Sequence, residues 1–312
     1  MRLHVDTDFA GDTDDAAALA MLLAWPGAEV VDVTTTADPG GWRAGYVHRL
    51  LELAGREDMP VASGASTSLD GRTMGDLPDH RRYWGDDLVT PRPSPRGAAA
   101  DLLMSSVDSG ASLVAIGPCT NLAEIEEARP GVLATCGVTL MGGWVDPPAA
   151  DLPQWGPEMD WNIQCDTTAA LRVFEAAHDA VLVTLPATLR AHLRQADLAR
   201  LEASGPIGRL LARQARAHGA DHRMSELGRA HTGLPDDLLN FQYDPVASAV
   251  ALGWPDVTMA TIGLTPTLED QQLRLVRADD DRGAKTFNVV LDVDGSTFSD
   301  TWLTAIERAE SS

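Results

Sequence analysis

Lysine is almost missing: Lys285 is the only one in 312 residues, and 24 basic residues face 46 acidic ones for a formal charge of −22. A chain of that sign lacks the basic patches through which nucleic acids and anionic membranes are held, so neither is expected as a partner, and the substrate should be neutral or small. Cysteine is scarce too. Cys119, Cys136 and Cys165 form no CxxC pair, which argues against a zinc site or a disulfide framework and fits a cytoplasmic setting. No apolar run approaches the roughly 18 residues of a membrane span, and the amino terminus is expected to enter a strand at once rather than a signal peptide. No Pro/Gly/Ser linker, charge block, internal repeat or low-complexity segment divides the chain. Residues 1–312, at 44% hydrophobic, read as a single domain with one large core.

What is present is alternation. Leu3, His4 and Val5 lead into Asp6, a glycine-containing turn and an Ala/Leu series at helical spacing that should stop near Trp25-Pro26-Gly27. A β-branched run follows over 29–35, then a helix over 46–54 closed by Gly55. Residues 63–97, rich in Gly, Asp, Arg and Pro, predict a long irregular excursion of the kind that is often functional. Further strands are expected at 113–116, 138–141 and 181–185, with helices from about 121, over 166–177 and through much of 188–218. A helix after Asp244-Pro245 and strands near 257–261, 273–277 and 287–293 complete the series. This rhythm predicts an α/β fold: a doubly wound, mostly parallel sheet with helices on both faces and its ligand at the carboxyl ends of the strands.

Five carboxylates, Asp6, Asp8, Asp12, Asp14 and Asp15, fall within ten positions where the first strand gives way to the first helix. In a partly dry cleft they would repel one another unless something positive sat among them, and oxygen-only ligands suit calcium or magnesium better than zinc. Locally another account serves as well: Asp12 caps the helix, and Asp14 and Asp15 complement its dipole.

The D-T-D turn followed by D-D-A and a helix resembles the amino-terminal signature of the nucleoside hydrolases, calcium-dependent enzymes that cleave N-ribosides. VTTTADPGG, LLELAGREDMPVASGA, LVAIGPCTNLAEI, MGGW, DWNIQCD and YDPVASAVAL follow in order, so the resemblance runs over most of the chain. It implies calcium held by the carboxylates of Asp8, Asp15 and Asp244 and the main-chain carbonyl of Thr120, with a water and two ribose hydroxyls completing the shell. Asp8 would be general base to that water. Asp14 would bind the ribose 2-hydroxyl, with Asp12 a competitor because the turn between Asp8 and Asp14 is two residues longer than the commonest family form. Asp160-Trp161-Asn162 stands where the family has Glu-aromatic-Asn: Asn162 matches, and Asp160 is one methylene shorter. Glu158, two positions upstream, would compensate, unless both acids are a solvated loop edge; Gln154 stands in for an earlier ribose-contacting Asn.

Many relatives place a His directly before the last calcium-binding Asp, where it protonates the departing base; here that position is Tyr243. The purine-selective branch is similar, with an aromatic there, a second aromatic from the irregular loop and an Asp near the end of the second strand. Tyr83 or Trp84 and Asp38 match, although plain packing roles for Tyr243 and Trp84 explain them equally well. His218, His222 and His231 lie in a stretch that resembles the family's mobile flap, and each is a candidate acid or exposed helix surface, His231 included. His4 is expected in the core. The expectation is a calcium-dependent nucleosidase of purine salvage that releases ribose and free base from a purine-leaning ribonucleoside, as a homodimer or homotetramer. One rival is a binding protein on the same scaffold without turnover. The other is a magnesium-dependent phosphatase of the haloacid dehalogenase type, which also has D-x-D after its first strand. That class wants Thr or Val next and a late Lys, whereas Phe9-Ala10 follow here.

Overall fold

The computed structural model describes residues 1–86, 88–178, 180–278 and 284–309. Strands β1 (Arg2–Thr7), β2 (Glu29–Thr35), β3 (Val61–Ser63), β4 (Ser112–Ala115), β5 (Val138–Met141) and β6 (Val181–Val183) alternate with helices. Next come β7 (His192–Arg194) and β8 (Leu238–Phe241), which pair with each other in a small antiparallel sheet, and then β9 (Val257–Glu269), β10 (Gln272–Arg277) and β11 (Lys285–Val293). The main sheet has nine strands in the order β10-β9-β11-β6-β5-β4-β1-β2-β3. From β3 across to β11 all neighbours are parallel; β9 runs antiparallel to both of its own. Strand order reverses between β1 and β4, and a doubly wound sheet opens a crevice at the carboxyl ends of such a pair. Asp8 follows β1 and Gly117 lies just beyond β4, so both stand at that crevice.

The inner strands are short apolar runs because both sheet faces are covered. Along β4 and its extension, Leu113 and Ala115 enter one core while Val114 and Ile116 enter the other. Helices Ala98–Asp108, Thr120–Ala128 and Thr167–Ala176 cover one face. Helices Asp14–Ala24, Trp42–Leu53, Gly205–Asp221, Tyr243–Ala251 and Gly295–Ala309 cover the opposite face. Small residues let two of these approach closely: Ala16, Ala17, Ala18 and Ala20 on the first helix, and Ala247, Ser248 and Ala249 on helix Tyr243–Ala251, which packs along it. The Trp302 indole, from the last of these helices, donates to the Ala17 carbonyl at 3.1 Å. That packing places the start of helix Tyr243–Ala251 beside the start of helix Asp14–Ala24.

The elements depart from the sequence reading where pairing is non-local. Helix Trp42–Leu53 begins four residues before 46. The stretch 188–218 opens with β7 before helices Leu198–Ala203 and Gly205–Asp221, because His192–Arg194 finds a partner in β8 far along the chain. β9 runs on to Glu269 because β10 and β11 flank it. The irregular excursion contains helix His80–Trp84. No helix among the described residues is long and apolar enough to cross a membrane.

Candidate active site

At the crevice lies a cleft of about 530 Å³, within the usual range for small-molecule sites. Its floor is the turn after β1. Gly11 N–H donates to the Asp8 carbonyl at 3.2 Å, and Ala10 sits at φ +69°. Beneath the turn passes Gly117, where a Cβ would stand 2.6 Å from Asp8 N and 3.0 Å from Asp8 Oδ1; only glycine lets the end of β4 come this close. Arg43, fully buried, reaches in from helix Trp42–Leu53. Its Nη1 donates to the carbonyls of Asp8 and Phe9, the latter at 2.9 Å, and its Nε to the Ala37 carbonyl at 2.6 Å. One guanidinium thus ties together two loops that each hold an alanine in the left-handed region, Ala10 and Ala37 at φ +49°. Asp8 Oδ2 accepts from the Trp161 indole at 3.1 Å. Burial raises the Asp8 pKa and Arg43 opposes the rise.

Three carboxylates meet beside Asp8. Asp14 and Asp15 belong to the first turn of helix Asp14–Ala24 and Asp244 to the first turn of helix Tyr243–Ala251; their oxygens lie within 4.8 Å of one another, all buried. Asp244 N–H donates to Asp14 Oδ2 at 3.2 Å, and the Thr7 hydroxyl donates to Asp15 Oδ1. Burial first, and then the neighbouring carboxylates, push all three acids well above the usual range. Two helix N-termini relieve part of this repulsion. Dipole complementation does not explain why Asp244, 230 positions away, joins the other two. An all-oxygen, buried, mutually repelling donor set fits a hard divalent cation.

Asp12 stands outside that cluster. Its Oδ2 lies 3.3 Å from His218 Nε2, and its Oδ1 accepts from Asn240 Nδ2 at 2.8 Å and from Thr13 N–H. Burial would raise Asp12, but His218 and these hydrogen bonds outweigh it and hold the acid well below the usual carboxylate range. Burial would lower His218, but Asp12 outweighs it and the imidazole is pushed up. His222 stacks on His218 with ring centroids 4.3 Å apart, and burial, then His218, lower its pKa. Both imidazoles line the cleft. His231 does not; its Nδ1 lies 3.1 Å from the Leu227 carbonyl.

The sequence-derived candidates divide. Asp8, Asp14, Asp15, Asp160, Asn162, Tyr243 and Asp244 all face the cleft. Asp160 is buried and accepts from Gly143 N–H at 2.6 Å, with its carboxyl pushed up by burial to about 7; Asn162 Nδ2 donates to the Met141 carbonyl at 3.2 Å. Asp160 is therefore no solvated loop edge. Tyr243 is half-buried, and burial followed by Asp12, Asp14 and Asp244 raises its phenol far above the ordinary value, so it keeps its proton.

Thr120, Gln154, Glu158, Asp38 and Trp84 are not on the cleft wall. The Thr120 hydroxyl donates to Asp166 Oδ2 at 2.8 Å. Gln154 Nε2 donates to the Ala149 and Leu152 carbonyls, and Glu158 accepts from Gly156 N–H at 3.2 Å. Asp38 accepts from the N–H groups of Arg43 and Ala44 and from the Thr35 hydroxyl. It caps a helix whose own N-cap, Gly41, has no side chain. Trp84 is buried, 4.7 Å from the Tyr46 ring and 6.1 Å from Phe9, and Tyr83 donates to Asp221 Oδ2 at 3.1 Å. Sequence reasoning missed Arg43. Its one signal is an arginine in the first turn of a helix, where the dipole disfavours a cation unless acceptors hold it.

A family model described as inosine-uridine preferring nucleoside hydrolase matches residues 3–300. The pyrimidine-specific ribonucleoside hydrolase RihA of Klebsiella pneumoniae is 33% identical over 222 residues, which are 68% of this chain and 70% of that one. Among solved structures, the plant nucleoside hydrolase PpNRh1 superposes with a TM-score of 0.81 at 22% identity over 98% of each chain. The purine-preferring ribonucleoside hydrolase from Gardnerella vaginalis does so with a TM-score of 0.80 at 22% identity over 100% of each. At that identity the two structures speak for the fold.

Proposed function

Because this chain belongs to the inosine-uridine preferring nucleoside hydrolase family, whose members cleave the N-ribosyl bond, we propose that it is a calcium-dependent hydrolase of purine-leaning ribonucleosides. The observation that carries the reading is the meeting of Asp14, Asp15 and Asp244, from two helix starts, beside Asp8. We assign Asp8, Asp15 and Asp244 as carboxylate ligands; the Thr120 carbonyl, the fourth ligand the resemblance implies, lies behind the cleft wall and would have to reach the ion from there. A calcium ion bound there supplies a water of lowered pKa and a grip on two ribose hydroxyls.

The rest is the work of this chain's own side chains. Asp8 takes the proton of the attacking water, while the Trp161 indole on Oδ2 sets where Oδ1 stands. The water oxygen joins the anomeric carbon, the N-glycosidic bond breaks toward the base, and the base gains a proton. Asp14 accepts from the ribose 2-hydroxyl; Asp12 also lines the cleft but is engaged by His218, Asn240 and Thr13, which favours Asp14 for the role. Asp160 and Asn162 take the far side of the sugar, whereas Gln154 and Glu158 reach it only if their loop shifts. Tyr243 offers a ring to the base rather than a proton. Trp84 and Asp38 act at one remove, Trp84 by backing Phe9 and Tyr46, and Asp38 by capping the helix that delivers Arg43. For the proton on the base, His218 and His222 stand nearer the cleft than His231.

Three free cysteines accord with a cytoplasmic role in purine salvage. We further propose one domain over 1–312 and a homodimer or homotetramer, which sedimentation would read. A second reading, pyrimidine cleavage, is favoured by the likeness to RihA. Incubation with a panel of nucleosides, with and without chelator, tests the whole assignment. Ribose and free base should appear, vanish with chelator and return with calcium, with inosine cleaved faster than uridine. Full-rate cleavage by metal-free protein would overturn the metal assignment, and faster uridine cleavage would install the second reading.

A further inference from the structure

Across much of the surface arginines are paired with acids: Arg129 with Asp108, Arg172 with Glu127, Arg200 with Asp300 and Glu307. One groove of about 660 Å³, away from the hydrolytic cleft, departs from that pattern. It is lined by Arg81, Arg82, Arg209, Arg213 and Arg216, with Glu202 as the carboxylate among its lining residues. Arg209, Arg213 and Arg216 fall at i, i+4 and i+7 on one face of helix Gly205–Asp221, while Arg81 and Arg82 come from helix His80–Trp84, far earlier in the chain. Arg216 is committed to Glu202 at 2.6 Å and Arg82 to Asp221 at 2.6 Å. Arg81, Arg209 and Arg213 pair with no carboxylate among the described residues. The Arg213 guanidinium lies against Gly85, where a Cβ would stand 3.1 Å from its Cζ and Nη1; a bare turn at φ +76° leaves it room.

Like charges four residues apart weaken a helix, and here two elements bring like charges to one place on a protein of charge −22. We propose that this groove binds a small phosphate-bearing polyanion of the size of pyrophosphate or a nucleotide. Guanidinium forks match phosphate oxygens two at a time, and the three uncommitted forks come from two separate helices onto one open, shallow groove. The acidic surface beyond the groove would repel a long polyanion, which selects a small one over nucleic acid.

Calorimetric titration of the full-length protein at low ionic strength tests this, with inorganic phosphate, pyrophosphate and ADP as separate probes. The wild type should bind pyrophosphate, more weakly as salt rises. The Arg209→Ser/Arg213→Ser variant should bind about tenfold more weakly or worse, because it loses two bidentate partners. Arg209→Lys/Arg213→Lys, which keeps the charge and loses the forks, should fall between. These arginines are exposed and outside the hydrolytic machinery, so nucleoside cleavage without added anion should be unchanged and reports that the variants are folded. Any metal drawn off by the anion is drawn off equally from all three proteins, so the difference among them reports the groove. Tighter binding of ADP than of pyrophosphate would give the nucleoside a share in recognition, and equal binding would assign it to the phosphates; either supports the site. Equal binding by wild type and serine variant, or no binding of any probe, overturns it. So does self-association that the serine variant abolishes while no anion binds, which would make the groove a contact with a second copy.

Discussion

Asp12 Oδ2 and His218 Nε2 stand 3.3 Å apart, joining the first turn of the chain to a helix some two hundred residues later. The pair explains what the turn between Asp8 and Asp14 does. It carries one carboxylate away from the metal-type cluster and spends it on the helix that walls the cleft, which leaves Asp14 to face Asp15 and Asp244.

The pair should make stability depend on pH. His218 has a folded pKa above its usual 6.5, so its contribution is complete below that value and is lost as pH rises through the folded pKa. Asp12 is held below its usual 3.8, so its contribution is present above 3.8 and is lost as pH falls toward the folded value. His218→Gln should therefore cost most between these limits, about 1–3 kcal/mol for a charged hydrogen bond left unpaired. Urea midpoints of wild type and variant should converge as pH is raised from 6 to 9. A constant gap would show that no proton is involved.

Calcium should raise the thermal midpoint of the wild type, with a stabilisation of about 2.7 kcal/mol at a hundredfold excess over Kd. Asp15→Ala and Asp244→Ala should lose both that rise and activity while folding without the ion, since each relieves carboxylate repulsion. A midpoint indifferent to calcium in the wild type would count against the site.

Asp8→Asn keeps one oxygen, enough to ligate the cation, but cannot take a proton from water. Turnover should fall by about 10² to 10⁴, with ribose binding better preserved. Near wild-type turnover would transfer the base role to another carboxylate.

Tyr243 and Trp84 should separate in kinetics and stability. Tyr243→Ala should lower kcat on inosine more than on a nitrophenyl riboside, whose leaving group needs no proton, and Tyr243→Phe should keep most activity because the ring carries the effect. Trp84→Ala should cost about 3–5 kcal/mol of stability, as truncation of a buried tryptophan does. Equal kinetic losses on both substrates in Tyr243→Ala would assign the ring to the sugar or the fold.

Much of the architecture was legible because its signals are local. β-branched runs bounded by turn residues predict 29–35 and 138–141, the bounds of β2 and β5. Apolar strands between helical segments predict the parallel sheet, and carboxylates at the ends of β1 and before helix Tyr243–Ala251 belong at one crevice once the strand order is doubly wound. Less legible were β7, β8 and the length of β9, whose hydrogen bonds are made to distant partners.

The sequence by itself determined which residues stand at strand ends and helix starts, since propensity, capping and hydrophobic period act over a few positions. Only the tertiary structure decided what each side chain does there. Asp12 and Asp14 are two residues apart, yet one answers to His218 and the other to Asp244. Asp38 has the spacing of a substrate contact but caps a helix, and Trp84 lies in the expected loop but packs behind Phe9. Arg43, which no motif singled out, holds the site's two loops together. The reason is range: a carboxylate or guanidinium takes its role from whichever charge or dipole lies within a few ångströms in a dry interior, and those neighbours are chosen by helix packing between residues up to 230 positions apart.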